Sequence, residues 1–357
     1  MSRRRDGRER SKVPSKAFRR LVIVPGFVLI ALMALASLPL WLLVAAFVSR
    51  FVPGRWRLLR VAWFLFVYVW WEVVTLLAAA ALWVASGLGR TIHEPVWQDR
   101  HYRLAGWWLR RVMGSARRTF HLEITRDDDD DDDDTARSER PALVFSRHAG
   151  PGDSFLLVDG VLNGAGRRPR IVLKDLLQLD PCVDVLLNRV PTRFVPTTSR
   201  AGQETVDAIG ELAATMGPDD ALVLFPEGGN FTPARHTRAV AKLGEIGRAD
   251  LSERAARMRH VLPPKPTGAL TAIEHAPHAD VVFVGHVGLD DLSTLRDLWR
   301  GIPLDRHVAT RLWRVPAEEI PPPELREAWL YDHWQALDDW IAAHPNAPAE
   351  GAGAVER

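Results

Sequence analysis

Two long apolar stretches, Leu21 to Val48 and Val61 to Leu88, dominate the first quarter of the chain. Each exceeds the roughly 20 residues needed to cross a hydrocarbon core, so both read as membrane helices. The first is too long for a signal-peptide core and has no small-residue cleavage site, which favours a retained anchor. Beyond them the pattern changes. Pro95 to Gly114 mixes Trp97, Tyr102, Trp107 and Trp108 with arginines, and fits either an interfacial amphipathic helix or a domain helix with a core face. Phe120 to Thr125 alternates like a strand. Short apolar or β-rich runs follow, at Arg170 to Leu173, Arg193 to Val195, Ala221 to Phe225 and Asp280 to Gly285, interleaved with helical patterns such as Gln203 to Thr215. Glu324 to Ala343 reads as a late helix. This alternation predicts an α/β fold with a largely parallel sheet flanked by helices, preceded by a two-helix membrane anchor. The expected divisions are a basic tail (1–20), the anchor (21–90), one main domain (91–345) and a disordered tail (346–357) rich in Ala, Gly, Pro and Glu.

Charge sets the expected orientation. Met1 to Arg20 carries nine basic residues and Ser49 to Arg60 carries four, while the segment after Leu88 is again arginine-rich. The greater charge on the two ends places both in the cytosol. Four arginines are nonetheless costly in the connection of a crossing hairpin, so a pair dipping into one leaflet stays open. Nine of the 14 tryptophans precede Leu109, several near the ends of the apolar stretches, where indole rings favour the interface. Glu72, inside the second stretch, is costly in hydrocarbon unless protonated, paired or near an interface. The unbroken acidic run Asp127 to Asp134 repels itself and reads as a solvated loop. With 5 lysines against 41 arginines, the basic residues do not indicate nucleic-acid binding. The single Cys182 excludes an internal disulfide, and no Cys and His cluster of metal-site type occurs.

Candidate chemistry concentrates in Ala142 to Asp153, ALVFSRHAGPGD: an apolar run, a histidine, a turn and an aspartate five positions on. Along a regular helix five residues turn about 500°, so the two side chains would diverge. Gly150, Pro151 and Gly152 supply the bend that lets Asp153 fold back onto one nitrogen of His148, leaving the other free to take a proton. His275 and Asp280, His286 and Asp291, and His333 and Asp338 share that spacing. The last pair lies inside a helix and the first has no apolar run before its histidine, so both read as surface residues. His286 follows VVFVG and is the serious rival. A second signal is ALVLFPEGGN, Ala221 to Asn230, where an apolar run ends in a carboxylate and a flexible turn.

These two motifs together resemble the glycerolipid acyltransferase family, which includes the lysophosphatidate acyltransferases. The likeness spans Trp97 to Ile320. It rests on a His-x4-Asp motif, here His148 to Asp153, and a Phe-Pro-Glu-Gly motif, here Phe225 to Gly228. Phe225 to Lys242 and His260 to Gly268, HVLPPKPTG, further resemble the branch containing lysocardiolipin acyltransferases. The resemblance implies that His148 is the general base and Asp153 its partner in moving an acyl group from acyl-CoA or an acyl carrier protein to a lysophospholipid hydroxyl. It implies no further cofactor, membrane lipid as partner, and a catalytic domain on the cytosolic face of the cell membrane. Glu227, with Gly228 and Gly229, would position the acceptor or stiffen the site, or cap a neighbouring helix. Backbone amides at Gly150 to Gly152 or Gly228 to Gly229 would meet the oxyanion. Lys174, Arg193, Arg200, Arg235 and Lys265 are the candidates for the acceptor phosphate. Two departures stand out. Gly229 and Asn230 replace the usual Thr or Ser and Arg, and the arginine of the second family motif is ambiguous among Arg189, Arg193 and Arg200. A lipid or thioester hydrolase, or a scaffold whose site has decayed, are the alternatives; no Gly-x-Ser-x-Gly elbow occurs.

Overall fold

The computed structural model describes residues 13–127, 139–150, 152–196, 201–290, 292 and 295–344. Most of the acidic run, Pro151, Arg200, Asp291, the first residues of the basic tail and all of the C-terminal tail lie outside them.

The first apolar stretch is not one helix. It forms α1 (Lys16–Ala36) and α2 (Leu38–Ser49), separated at Ser37. Pro39 explains the break, because a proline lacks the amide to continue the ladder and clashes with the turn before it. At twelve residues, α2 is about 18 Å long, too short to cross a bilayer.

The second stretch is α3 (Arg57–Ala85), and it lies along the flank of the domain over most of its length. Near its start, Arg57 donates to the carbonyls of Ile302 (3.0 Å) and Arg300 (2.7 Å), and Arg60 to that of Thr119 (2.8 Å). In its middle, Tyr68 donates to Asp180 at 2.8 Å. Toward its end, Arg189 donates to the Ala79 carbonyl at 2.8 Å. Arg57 to Ala79 spans roughly 33 Å of helix, and α1 and α3 are each long and apolar enough to cross a membrane. Glu72 faces the protein and is fully buried there, beside Cys182. On the outer side of α1 to α3, Leu29, Leu32, Trp41, Phe47, Trp63 and Trp70 are exposed, an apolar surface far larger than isolated exposed residues make.

Helix α4 (Pro95–Phe120) returns antiparallel along α3 and buries Tyr102, Trp108, Leu109 and Val112. Of the two readings of this segment, the domain helix with a core face is the one observed. The sheet has seven strands in the order β1-β7-β6-β2-β5-β3-β4: β1 (Leu122–Arg126), β2 (Ala142–Ser146), β3 (Arg168–Lys174), β4 (Thr192–Val195), β5 (Asp220–Leu224), β6 (Asp280–Val287) and β7 (Arg306–Val315). Strands β6, β2, β5, β3 and β4 are mutually parallel; β7 runs antiparallel to β6, and β1 parallel to β7. The helices after β2 are α5 (Asp153–Asp159), α6 (Pro181–Leu187), α7 (Ala201–Ala214), α8 (Pro233–Glu245), α9 (Ala249–Arg257), α10 (Pro266–His275), α11 (Leu295–Gly301) and α12 (Arg326–Ala343).

Alternation along β2 divides the core. Leu143 and Phe145 join Leu222, Phe283, Ile209, Ile273 and Trp334 on one face, covered by α7, α10 and α12. Ala142 and Val144 join Val223, Val282, Leu157 and Val161 on the other, under α5. A strand covered on both faces reads as an unbroken apolar run, which is why Ala142 to Phe145 and Ala221 to Leu224 show no period of two.

Candidate active site

Strands β2 and β5 are neighbours ending at the same edge, with Phe145 opposite Leu224. From β2 the chain passes beyond β5 to β3, and from β5 it passes back to β6 on the other side of β2. Such a reversal opens a crevice at the carboxyl ends of the strands. His148 lies just past β2 and Glu227 just past β5.

The bend after β2 delivers Asp153 to the first turn of α5. Gly152 adopts φ +150°, a conformation side chains resist. His148 Nδ1 is 2.9 Å from Asp153 Oδ2 and 3.1 Å from Oδ1. The same Oδ2 accepts the amides of Ala149 (2.7 Å) and Gly150 (3.1 Å), so the carboxylate holds the loop as well as the ring. Burial alone would push the Asp153 carboxyl up; the bond from His148, the neighbouring imidazoles and the Gly150 amide outweigh it and hold it below the ordinary carboxylate range. His148 keeps 26% of its side chain exposed and rests against Phe225, ring centres 4.8 Å apart. With Nδ1 turned to the carboxylate, Nε2 is the nitrogen left for chemistry.

Glu227 is buried and joins three loops. Its Oε1 accepts the His148 amide and its Oε2 the Leu262 amide, each at 3.2 Å, which ties the bend after β2 to the HVLPPKPTG segment. The Lys265 amide donates to the Pro226 carbonyl (2.9 Å) and the Phe231 amide to the His148 carbonyl (2.8 Å), closing the same frame. Burial pushes the Glu227 carboxyl up to about 8, although Arg147 and its two amide bonds act against that. No helix start is among its partners.

Gly228 takes φ +68° and passes so close to Lys265 that a Cβ there would meet the ammonium. Arg235, on α8, donates to the Asn230 carbonyl (3.0 Å) and to its side chain. Lys265 and Arg235 thus flank the turn after Glu227. Lys174 ends β3 at the same edge of the sheet, exposed. Arg193 is not brought to His148: it lies on the edge strand β4, exposed, and bonds Glu211 at 3.0 Å. Arg189 lies against α3. Among the amides of the two turns, that of Gly150 serves Asp153 and that of Gly228 the Phe225 carbonyl (3.0 Å), leaving Gly152 and Gly229.

His286 forms no hydrogen bond to a described carboxylate, and Asp291, the partner its spacing offers, lies outside the described residues. His286 sits on β6 behind Asp153, its Nε2 3.8 Å from Oδ2, with neither ring nitrogen hydrogen-bonded. Burial first, and Arg147 second, depress its pKa to about 4, so the ring is neutral at neutral pH. The other two His and Asp pairs diverge, but their aspartates are not surface groups. Asp280 is buried and bonds Arg314 at 2.9 Å, and Asp338 is buried and accepts the amides of Arg259 and His260.

Arg147 is a further member of the site that the motifs do not reveal. It is 1% exposed, donates to the carbonyls of His286 (2.7 Å) and His260 (3.1 Å), and lies 2.6 Å from Asp290. An arginine in a chain with 41 of them carries little signal; its position directly before His148, at the end of a buried strand, was the available one.

Two cavities meet at Asp153 and Leu156. One, of about 260 Å³, runs from the bend toward the anchor between α3, α4, β1 and α11, lined by Phe64, Met113, Ala116, Phe155 and Leu298. The other, of about 270 Å³, lies under α5 along the sheet and has His286 in its wall.

No curated protein matches the chain. The family described as Acyltransferase matches residues 129–284, the stretch that holds His148, Asp153 and Glu227. With a mostly parallel α/β sheet carrying all three side chains at one strand edge, this segment is similar to that family.

Proposed function

We propose that the protein is a membrane-bound O-acyltransferase that moves a fatty acyl group from a thioester of coenzyme A or acyl carrier protein to the free hydroxyl of a lysophospholipid of the lysophosphatidate type. The observation that carries this reading is that Asp153, the partner of His148, lines an apolar cavity whose far wall includes the anchor helix α3. A chain bound there stays in apolar surroundings while its polar end reaches His148.

In this reaction His148 Nε2 removes the acceptor's hydroxyl proton as the oxygen attacks the thioester carbonyl. The carbonyl π bond opens onto its oxygen, and the negative charge is met by the amides of Gly152 or Gly229. When the tetrahedral intermediate collapses, the carbon–sulfur bond breaks and the imidazolium returns the proton to the leaving thiolate. Asp153 stays ionised throughout and stabilises the imidazolium. Glu227 keeps the His148 backbone in place. Lys265 and Arg235, and Lys174 along the same edge, are placed to meet the acceptor phosphate. The anchor rests in one leaflet with the domain at the cytosolic surface, which suits α3's contacts with the domain at both ends and supplies both alkyl substrates from the bilayer.

Purified protein given a radiolabelled acyl thioester and a panel of lysophospholipids is expected to form labelled diacyl phospholipid. Label released only as free fatty acid, with or without lysolipid, would assign the site to a hydrolase instead.

Ala116→Trp tests the cavity. The larger side chain fills its wall, and displacing two methylenes at about 0.8 kcal/mol each should cost long-chain donors roughly tenfold in kcat/KM, with short donors little affected. Equal losses for all chain lengths would place the acyl group elsewhere.

A further inference from the structure

A groove of about 470 Å³ opens where α1, α3 and the end of α6 converge. It shares no lining residue with either cavity at Asp153. Its cations are Lys16, Arg20 and Arg189, and its apolar walls include Val24, Leu76 and Trp83.

We propose that this groove binds an anionic phospholipid of the bilayer, its phosphate held by Lys16, Arg20 and Arg189 and its chains laid against α1 and α3. The charge balance asks for such a ligand. Asp184 is the carboxylate here, and it is already engaged by Arg19 (2.8 Å), Arg20 (2.7 Å) and Asn188 (3.0 Å). Arg189 is only 9% exposed and has no carboxylate within ion-pair distance among the described residues; it contacts the Ala79 carbonyl and His101, at 2.8 and 2.9 Å. Burial and the nearby Arg20 lower its pKa to about 10 and Asp184 only partly offsets them, which leaves it charged at neutral pH. A buried guanidinium beside other cations is costly unless an anion meets it. The groove's position selects an amphiphile over a free anion: the cations stand where two apolar helices join the domain, the level at which headgroups lie when the exposed faces of α1 and α3 are in lipid. A lipid bound there touches α1, α3 and α6 together and so fastens the anchor to the domain, stabilising the folded chain by mass action.

The test is thermal unfolding and lipid titration of the full chain in neutral detergent, with phosphatidylglycerol, phosphatidylcholine or glycerol phosphate added. Phosphatidylglycerol alone is expected to raise the midpoint substantially. Lys16→Glu replaces an exposed side chain, so it leaves the lipid-free midpoint unchanged, and it should weaken phosphatidylglycerol about tenfold, as reversing one charge near a headgroup implies. Arg20→Gln should also weaken phosphatidylglycerol, at a cost to the lipid-free midpoint because it removes the pair with the buried Asp184. Lys265→Glu, beside the dyad, should leave this binding intact. Equal gains from phosphatidylglycerol and phosphatidylcholine, a full gain from glycerol phosphate, or a gain lost in Lys265→Glu yet kept in Lys16→Glu, would each overturn the proposal; the last would assign the lipid to the acyl-transfer site.

Discussion

Replacing His148 by alanine is expected to lower kcat for acyl transfer by about 10²- to 10⁴-fold, the contribution of a positioned general base. The imidazole is the only described basic side chain hydrogen-bonded to the Asp153 carboxylate, and the Ser154 hydroxyl, the other side chain that bonds it, is no general base, so no neighbour replaces it. His286 cannot: it is buried behind the carboxylate and oriented from β6. The variant should remain folded, because the backbone amide that Glu227 holds is unaffected and the lost ring was partly exposed. Thermal unfolding checks the fold and initial rates with thioester and lysolipid check the chemistry. Wild-type turnover in a folded His148→Ala protein would remove the base from the proposed mechanism, whether the product is a transferred acyl group or a cleaved one.

Much of the sheet was legible because its central strands are buried on both faces. Ala142 to Phe145, Ala221 to Leu224 and Val281 to Gly285 are apolar without interruption, and each lies in a strand that pairs where the alternating α/β pattern requires. Strand β7 was not, since RHVATRLWRV carries three arginines and only Val308, Ala309 and Val315 of its ten residues are buried. Its side chains take their meaning from β6, against which it runs antiparallel, and from β1. Strand order, unlike strand existence, depends on contacts distant in sequence.

The anchor shows the opposite error. Hydropathy joined Leu21 to Val48 into one span although Pro39 marked the break, and it treated Glu72 in the second stretch as a burden. Arg60, Tyr68 and Glu72 are instead the residues by which α3 meets the domain: Arg60 and Tyr68 reach Thr119 and Asp180, and Glu72 is buried on the inner side. At the site, the local bend was readable from Gly150 and Gly152, whereas the approach of His286 to Asp153 was not. Those two residues are 133 positions apart and meet only because β6 pairs beside β2.

Asp153→Asn is expected to cost as much as losing the base itself, about 10²- to 10⁴-fold in kcat, while changing the shape of the side chain least. The carboxylate accepts from His148 Nδ1 and from the amides of Ala149 and Gly150, and it donates nothing. An asparagine offers one acceptor oxygen and an NH₂ group. If the oxygen is kept for the two amides, the NH₂ faces Nδ1 and stabilises the tautomer with its proton on Nε2, so the nitrogen turned to the substrate can no longer accept one. If the oxygen is turned to Nδ1, an amide of the loop is left facing a donor in a buried place, at about 1–3 kcal/mol. The first outcome lowers kcat with a nearly unchanged thermal midpoint; the second lowers both. In either case KM for the lysolipid should change little, since Lys265 and Arg235 stand on other loops. A folded Asp153→Asn protein with kcat within tenfold of wild type would mean that the orientation of His148 is set by the Glu227 frame and by Phe225, and that the five-residue spacing of histidine and aspartate serves the fold of the loop alone.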